Sequence, residues 1–148
     1  MSATTITRVA ASHGRGLLDT SVVIALEGLP LDVLPEEPAI SSLTLAELAA
    51  GPHATTDPAE RARRQDRLQR TEAAFDPLPF DLAAARAYGR ILAAVVEVVA
   101  EGRTPRARRA VDLMVAATAL AYGLPLYTRD PDDLRGLEGL VEIVDLRG

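Results

Sequence analysis

Four acidic positions, Asp19, Glu47, Asp112 and either Asp130 or Asp133, stand at the ends of short apolar runs or on helices that are otherwise apolar. Several carboxylates converging in one pocket repel strongly, and such a set becomes sensible when a divalent cation neutralises it. Oxygen-only ligands, with no cysteine and with His13 and His53 both in polar, poorly patterned segments, select a hard ion, Mg²⁺ or Mn²⁺, over zinc. Such ions activate water and stabilise the charged oxygens of a phosphoryl displacement.

Each acid taken alone has a plainer role open to it. Asp19 follows Leu17-Leu18 and precedes Thr20-Ser21, so it is either an acid delivered at a strand end or simply the N-cap of the next helix. With Thr20 or Ser21 as the cap, the Asp19 carboxylate stays free. Glu47 shares a helix face with Leu43 and Gly51, and could be a solvated outer-face residue. Asp112 is harder to set aside: the run 110–121 is apolar all round apart from Asp112 and Thr118, the pattern of a buried helix. A buried carboxylate is costly unless it is paired, protonated or bound to metal.

Positioning these acids requires strands and helices in alternation. Leu17-Leu18 reads as a short buried strand, followed by a helix carrying Val23, Ile24 and Leu26 and stopped by Gly28-Leu29-Pro30. Ala39-Ile40-Ser41 is a second strand, and Ser41-Ser42 opens a helix closed by Gly51-Pro52. Asp57-Pro58-Ala59-Glu60 starts a charged helix bearing Arg61, Arg63, Arg64, Arg67 and Arg70, a run whose ordinary role is a solvated face. Residues 76–80 form a link that could add an edge strand, held to an edge by Pro77 and Pro79.

Asp81 caps a long helix with apolar residues at helical spacing to Val99, ended by Gly102. Strands at 125–127 and 141–144 complete the pattern of a three-layer α/β/α domain with a central, mostly parallel sheet over residues 16–148. Residues 1–15 are polar and weakly patterned, and read as a flexible N-terminal extension.

Composition narrows the chemistry further. Aromatic residues make up 3% of the chain and there is no Trp, so stacking many bases on rings is excluded. The absence of cysteine excludes disulfides, thiolate metal sites and cysteine nucleophiles. All 16 basic residues are arginine, which removes every mechanism that needs a lysine. A formal charge of −5 disfavours an indiscriminate nucleic-acid coat while permitting a local basic face. Apolar stretches are interrupted by Glu or Arg before membrane-spanning length, and the first residues lack a signal-peptide layout, so a cytoplasmic protein is expected.

The segments Leu17-Leu18-Asp19-Thr20-Ser21, Ser42-Leu43-Thr44-Leu45-Ala46-Glu47-Leu48, 111–119 around Asp112, and 126–134 around Thr128-Arg129-Asp130 and Asp133 resemble, in order and spacing, the signature segments of PIN-domain ribonucleases. In particular the chain is similar to the VapC-type toxins of type II toxin-antitoxin systems, from about Gly16 to the C-terminus. The resemblance implies a PIN-like fold and a Mg²⁺-dependent endoribonuclease that cuts tRNA or rRNA. It also implies a VapB-type antitoxin as partner and a homodimer.

Carried over by position, Asp19 and Asp112 would be principal metal ligands and Glu47 a third acid that holds metal or orients water. Thr20, Ser21 and Thr128 would support them. Many relatives have Thr-Arg-Asn followed three residues later by Asp-Phe; this chain has Thr128-Arg129-Asp130 and then Asp133-Leu134. Either Asp130 or Asp133 would therefore be the fourth acid. Because acids repel RNA, Arg103, Arg106, Arg108 and Arg109, with Arg86 or Arg90, are expected to hold neighbouring phosphates.

Readings from other classes fit less well. A receiver domain needs a lysine that this chain lacks, and a haloacid-dehalogenase-like phosphatase needs a second Asp where Ser21 stands. Serine-triad hydrolysis would depend on His13 or His53. The remaining alternative is a catalytically idle PIN-like binding module acting through a protein partner.

Overall fold

Leu17 and Leu18 are both fully buried, which one strand achieves only when each face of its sheet is covered, because neighbouring side chains point to opposite faces. The computed structural model, which describes residues 6–8, 14–95 and 107–147, has that arrangement. Five strands, β1 (Ile6–Arg8), β2 (Arg15–Leu18), β3 (Glu37–Ala39), β4 (Leu126–Thr128) and β5 (Ile143–Asp145), form one sheet of order β1-β5-β4-β2-β3. Every pairing is parallel.

Helices cover both faces. They are α1 (Thr20–Ile24), α2 (Ser42–Ala50), α3 (Pro58–Ala74), α4 (Leu82–Ala94) and α5 (Ala107–Tyr122). One core joins Leu17, Leu126 and Ile143 to Ile91 of α4 and to Leu113 and Ala116 of α5. The other joins Leu18, Tyr127 and Val144 to Val22 and Val23 of α1, with Leu68 and Phe75 of the α3 region packed against it. The three-layer α/β/α architecture expected from the alternation of elements is thus the observed one.

Several details differ from expectation. Ile6–Arg8, read as part of an extension, pairs in register with Ile143–Asp145 and forms an edge of the sheet. The paired part of β3 ends at Ala39, leaving Ile40 and Ser41 to lead into α2. The link at 76–80 contributes only a single bridge, Ser41 to Leu78, since its prolines limit the ladder it can donate to. The continuation of α4 to Val99 and Gly102 lies outside the described residues, as do Arg103 and Arg106. Among the described residues no helix is long and apolar enough to cross a membrane.

The connectivity fixes where a site can form. From β2 the chain moves outward to β3 on one side, and from β4 it moves outward to β5 on the other. The β2/β4 boundary is therefore where the strand order reverses, and the crevice beyond the carboxyl ends of strands at such a point is where open α/β sheets bind ligands.

Candidate active site

Asp19 is the first residue beyond β2, and its N–H donates to the Tyr127 carbonyl at 3.0 Å, locking it beside the end of β4. The Asp19 carboxylate is also the N-cap of α1: Oδ1 accepts the Val22 N–H at 3.2 Å. The capping role expected to pass to Thr20 or Ser21 thus stays with Asp19, because α1 begins directly at Thr20 and only the residue before it has the extended backbone a cap needs. Ser21 serves the acid instead. Its hydroxyl donates to Asp19 Oδ1 at 2.5 Å and accepts the Arg129 N–H at 3.0 Å, which ties the β2 end to the β4 end through one side chain.

Glu47 reaches the same crevice from α2. Ser41 caps that helix, accepting the Thr44 N–H at 3.1 Å, and the resulting rotation sets Glu47 against Thr20, whose hydroxyl donates to Oε1 at 2.5 Å. Thr44, fully buried, lies 3.0 Å from the Thr20 oxygen. Sequence reasoning passed over Thr44; its signal was a hydroxyl three residues after the Ser41 cap on the face that turns inward.

Asp112 comes from the first half of α5. The expectation of a buried helix holds for residues 115–119, all buried, whereas Asp112 is half-buried, at the end of the helix that opens onto the crevice. Thr128, fully buried, ends β4 and accepts the Asp130 N–H at 2.9 Å. Asp130 then caps a short 3-10 turn, Pro131–Leu134, that carries Asp133.

One pocket of about 60 Å³ is lined by all five acids, Asp19, Glu47, Asp112, Asp130 and Asp133, together with Thr20 and Ser21. Asp130 and Asp133 both line it. Burial pushes the Asp19 carboxyl above its usual range, and the Asp130 charge adds to the rise; the Ser21 and Thr128 hydroxyls and the Val22 N–H oppose it. An acid set with oxygen donors only suits a hard divalent cation. Among the described residues, however, no three of these carboxylates are already drawn together as a metal-ligating cluster.

The expected RNA-contacting arginines are distributed differently. Arg86 and Arg90 are exposed on α4 and line neither the acid pocket nor the cleft beside it. Arg108 and Arg109 lie in the first turn of α5, with Arg109 half-buried. A further acid went unnoticed in the sequence: Asp145 ends β5 as Asp19 ends β2, and is 4% exposed. It does not line the pocket; Arg147 binds it, with Nη2 2.9 Å from Oδ2.

A PIN domain family model matches residues 16–139. Ribonuclease VapC5 of Mycobacterium tuberculosis (strain ATCC 25618 / H37Rv) is 38% identical over 135 residues, covering 89% of this chain and 94% of the relative. Ribonuclease VapC8 of M. tuberculosis (strain CDC 1551 / Oshkosh) is 39% identical over 110 residues, covering 72% of this chain and 91% of the relative. Among solved structures, VapBC-5 from M. tuberculosis, a member of the VapBC family of toxin-antitoxin systems, superposes with a TM-score of 0.73 at 35% identity, covering 89% of this chain and 98% of that one.

Proposed function

The chain belongs to the PIN-domain family, among the VapC ribonucleases, and from that premise we propose that it is a metal-dependent endoribonuclease, the toxin of a type II toxin-antitoxin pair, with Mg²⁺ or Mn²⁺ as cofactor. The observation that carries this reading is the convergence of five carboxylates from four separate parts of the chain on one pocket at the topological switch point. A VapB-type antitoxin is the partner of this reading, supported by the VapBC complex among the structural neighbours. Cytoplasmic tRNA or rRNA as substrate and a homodimeric toxin belong to the same proposal.

Asp19 and Asp112 approach the pocket from a strand end and a helix and would be the principal ligands for a cation, with Glu47 completing the set. When bound, such an ion would supply a water of lowered pKa and offset charge on the phosphate. Ser21 and the Val22 N–H fix the Asp19 carboxylate before any ligand arrives, and Thr20 fixes Glu47 through Oε1, leaving Oε2 to orient a water. Asp130 and Asp133 add negative charge to the pocket, and one of them would be the fourth acid.

The test is cleavage of total tRNA by the purified protein with Mg²⁺ and with a chelator. Cleavage that requires the metal and disappears in Asp112→Asn supports the reading; full activity in a folded Asp112→Asn protein sinks it. The idle binding module is favoured by one observation, that among the described residues no three acids are gathered as a ligand cluster. Antitoxin binding by a protein that cleaves no RNA with any divalent cation would establish it.

A further inference from the structure

We propose that the side of α3 lining the cleft that adjoins the acid pocket, centred on Arg67 with Arg64 beside it, is a phosphate-binding wall that holds RNA next to the scissile linkage. The inference rests on the ribonuclease reading, and it assigns a role to a helix that the sequence leaves as a solvated face.

Five carboxylates by themselves repel a polyanion, and among the described residues no cationic side chain lines the acid pocket. A larger cleft, about 650 Å³, opens from it. The two share Thr20, Ile24 and Glu47, and the larger continues to Arg64 and Arg67. RNA leaving the acids across Glu47 therefore runs onto the arginines of α3. Its volume is that of a ligand site, whereas the acid pocket admits only a few water-sized groups.

The arginines of α3 are not equivalent. Arg61 donates to the Pro52 and Thr55 carbonyls at 3.1 and 2.8 Å. Arg63 and Arg64 both bind Glu60 at 2.8 Å, and Arg64 also donates to the Gly51 carbonyl at 2.9 Å. Arg70 pairs with Glu27 and Asp66. Arg67 makes no ion pair or side-chain hydrogen bond among the described residues, although it is half-buried and lines the cleft. Glu60, the acid of this wall, is already matched by two guanidinium groups, so Arg67 stands as surplus positive charge beside a concentrated negative site. A planar guanidinium with its donors uncommitted suits a phosphate, and contacts of that kind set register without reading bases.

Arg67 also lines a second groove of mixed character, with Val23, Leu26 and Phe75 beside Glu27 and Asp66, so a protein segment is the competing occupant. The experiment measures binding of a short, mixed-sequence, labelled single-stranded RNA by anisotropy, in an Asp19→Asn background. Arg67→Gln is expected to weaken binding about tenfold and to lower the salt slope of log K by about 0.7, the value for one phosphate contact on a single strand. Arg67→Lys restores the slope, and Arg15→Gln, an equal loss of charge at the start of β2 and at the opposite end of that strand from Asp19, leaves it unchanged.

In the cleaving protein Arg67→Gln raises KM far more than it lowers kcat. Unchanged RNA affinity and slope in Arg67→Gln overturn the proposal, as does an equal fall in Arg15→Gln or a loss confined to antitoxin binding. If wild-type protein cleaves no RNA while the Arg67-dependent slope persists, the ribonuclease reading fails and the phosphate site stands.

Discussion

The Thr20 hydroxyl and the Glu47 carboxylate meet at 2.5 Å, joining the first turn after β2 to the middle of α2. This bond places an acid that helical periodicity alone leaves free to face solvent. Thr20→Val keeps the shape and removes the donor, so Glu47 loses its orientation. RNA cleavage is expected to fall at least about tenfold, in line with losing one charge-assisted hydrogen bond in a reacting site, while Thr20→Ser retains most of it. Comparing the two rates at matched Mg²⁺ checks this, and equal rates in Thr20→Val and wild type contradict it.

Asp19→Asn is expected to abolish cleavage and yet to stabilise the metal-free protein. Asn is as good an N-cap as Asp, so α1 survives, and the burial cost that raises the Asp19 pKa disappears with the charge. Thermal unfolding in chelator at neutral pH should show a higher Tm for Asp19→Asn. Added Mg²⁺ should raise the Tm of the wild type only, since ligand binding to the native state stabilises it by mass action.

The same shift has a signed pH dependence. An acid with a native pKa above its unfolded value binds protons more tightly when folded, so its contribution to stability is greatest at low pH. It is lost as pH rises from the ordinary carboxylate range through the raised native value. In chelator, the difference in unfolding free energy between Asp19→Asn and wild type should therefore widen across that window and level off above it. A difference that stays constant with pH contradicts the assignment.

Asp130 contributes to the raised Asp19 pKa through its charge. Asp130→Asn is expected to lower the Asp19 pKa and move the acid limb of the cleavage profile to lower pH. Asp133→Asn should move it less, because the Asp133 charge is not among the causes of the rise. The pH–rate profiles of the two variants separate the acids that the sequence leaves undecided.

Gly16 lies in β2 against the fully buried ring of Tyr127, where an added Cβ would collide with Cε1, come within 2.9 Å of Cδ1 and lie 3.1 Å from Pro35. Gly16→Ala is expected to destabilise by about 1–3 kcal/mol, the usual cost of overpacking a close-packed core. Denaturant unfolding would detect it. Because Tyr127 also accepts the Asp19 N–H through its carbonyl, cleavage should fall along with stability.

Much of the architecture was legible because it depends on local pattern. The buried pair Leu17-Leu18, the Ser41 and Asp81 caps and the apolar run at 115–119 announce themselves through neighbours a few residues away, and the observed elements follow them. Strand β1 was not legible: Ile6–Arg8 is a polar, short segment whose reason to be extended is its ladder with Ile143–Asp145, at the other end of the chain. Asp145 was missed for a related reason, its importance depending on burial and on Arg147.

The sequence by itself determined which residues can carry the chemistry. Asp19, Glu47, Asp112, Asp130 and Asp133 were identifiable from residue type and from position relative to apolar segments, and the ordered motifs around them identify the family. Tertiary structure alone decided how they meet. The parallel order β4-β2-β3 sets Asp19 beside the end of β4 and points α2 back toward it, and the Ser21 and Thr20 hydroxyls then turn two carboxylates into the same pocket. The Thr20–Glu47 bond joins groups 27 residues apart, so no local periodicity encodes it. The same holds for Arg67, one of five similar arginines on α3, distinguished from the others only by which partners the fold brings within reach.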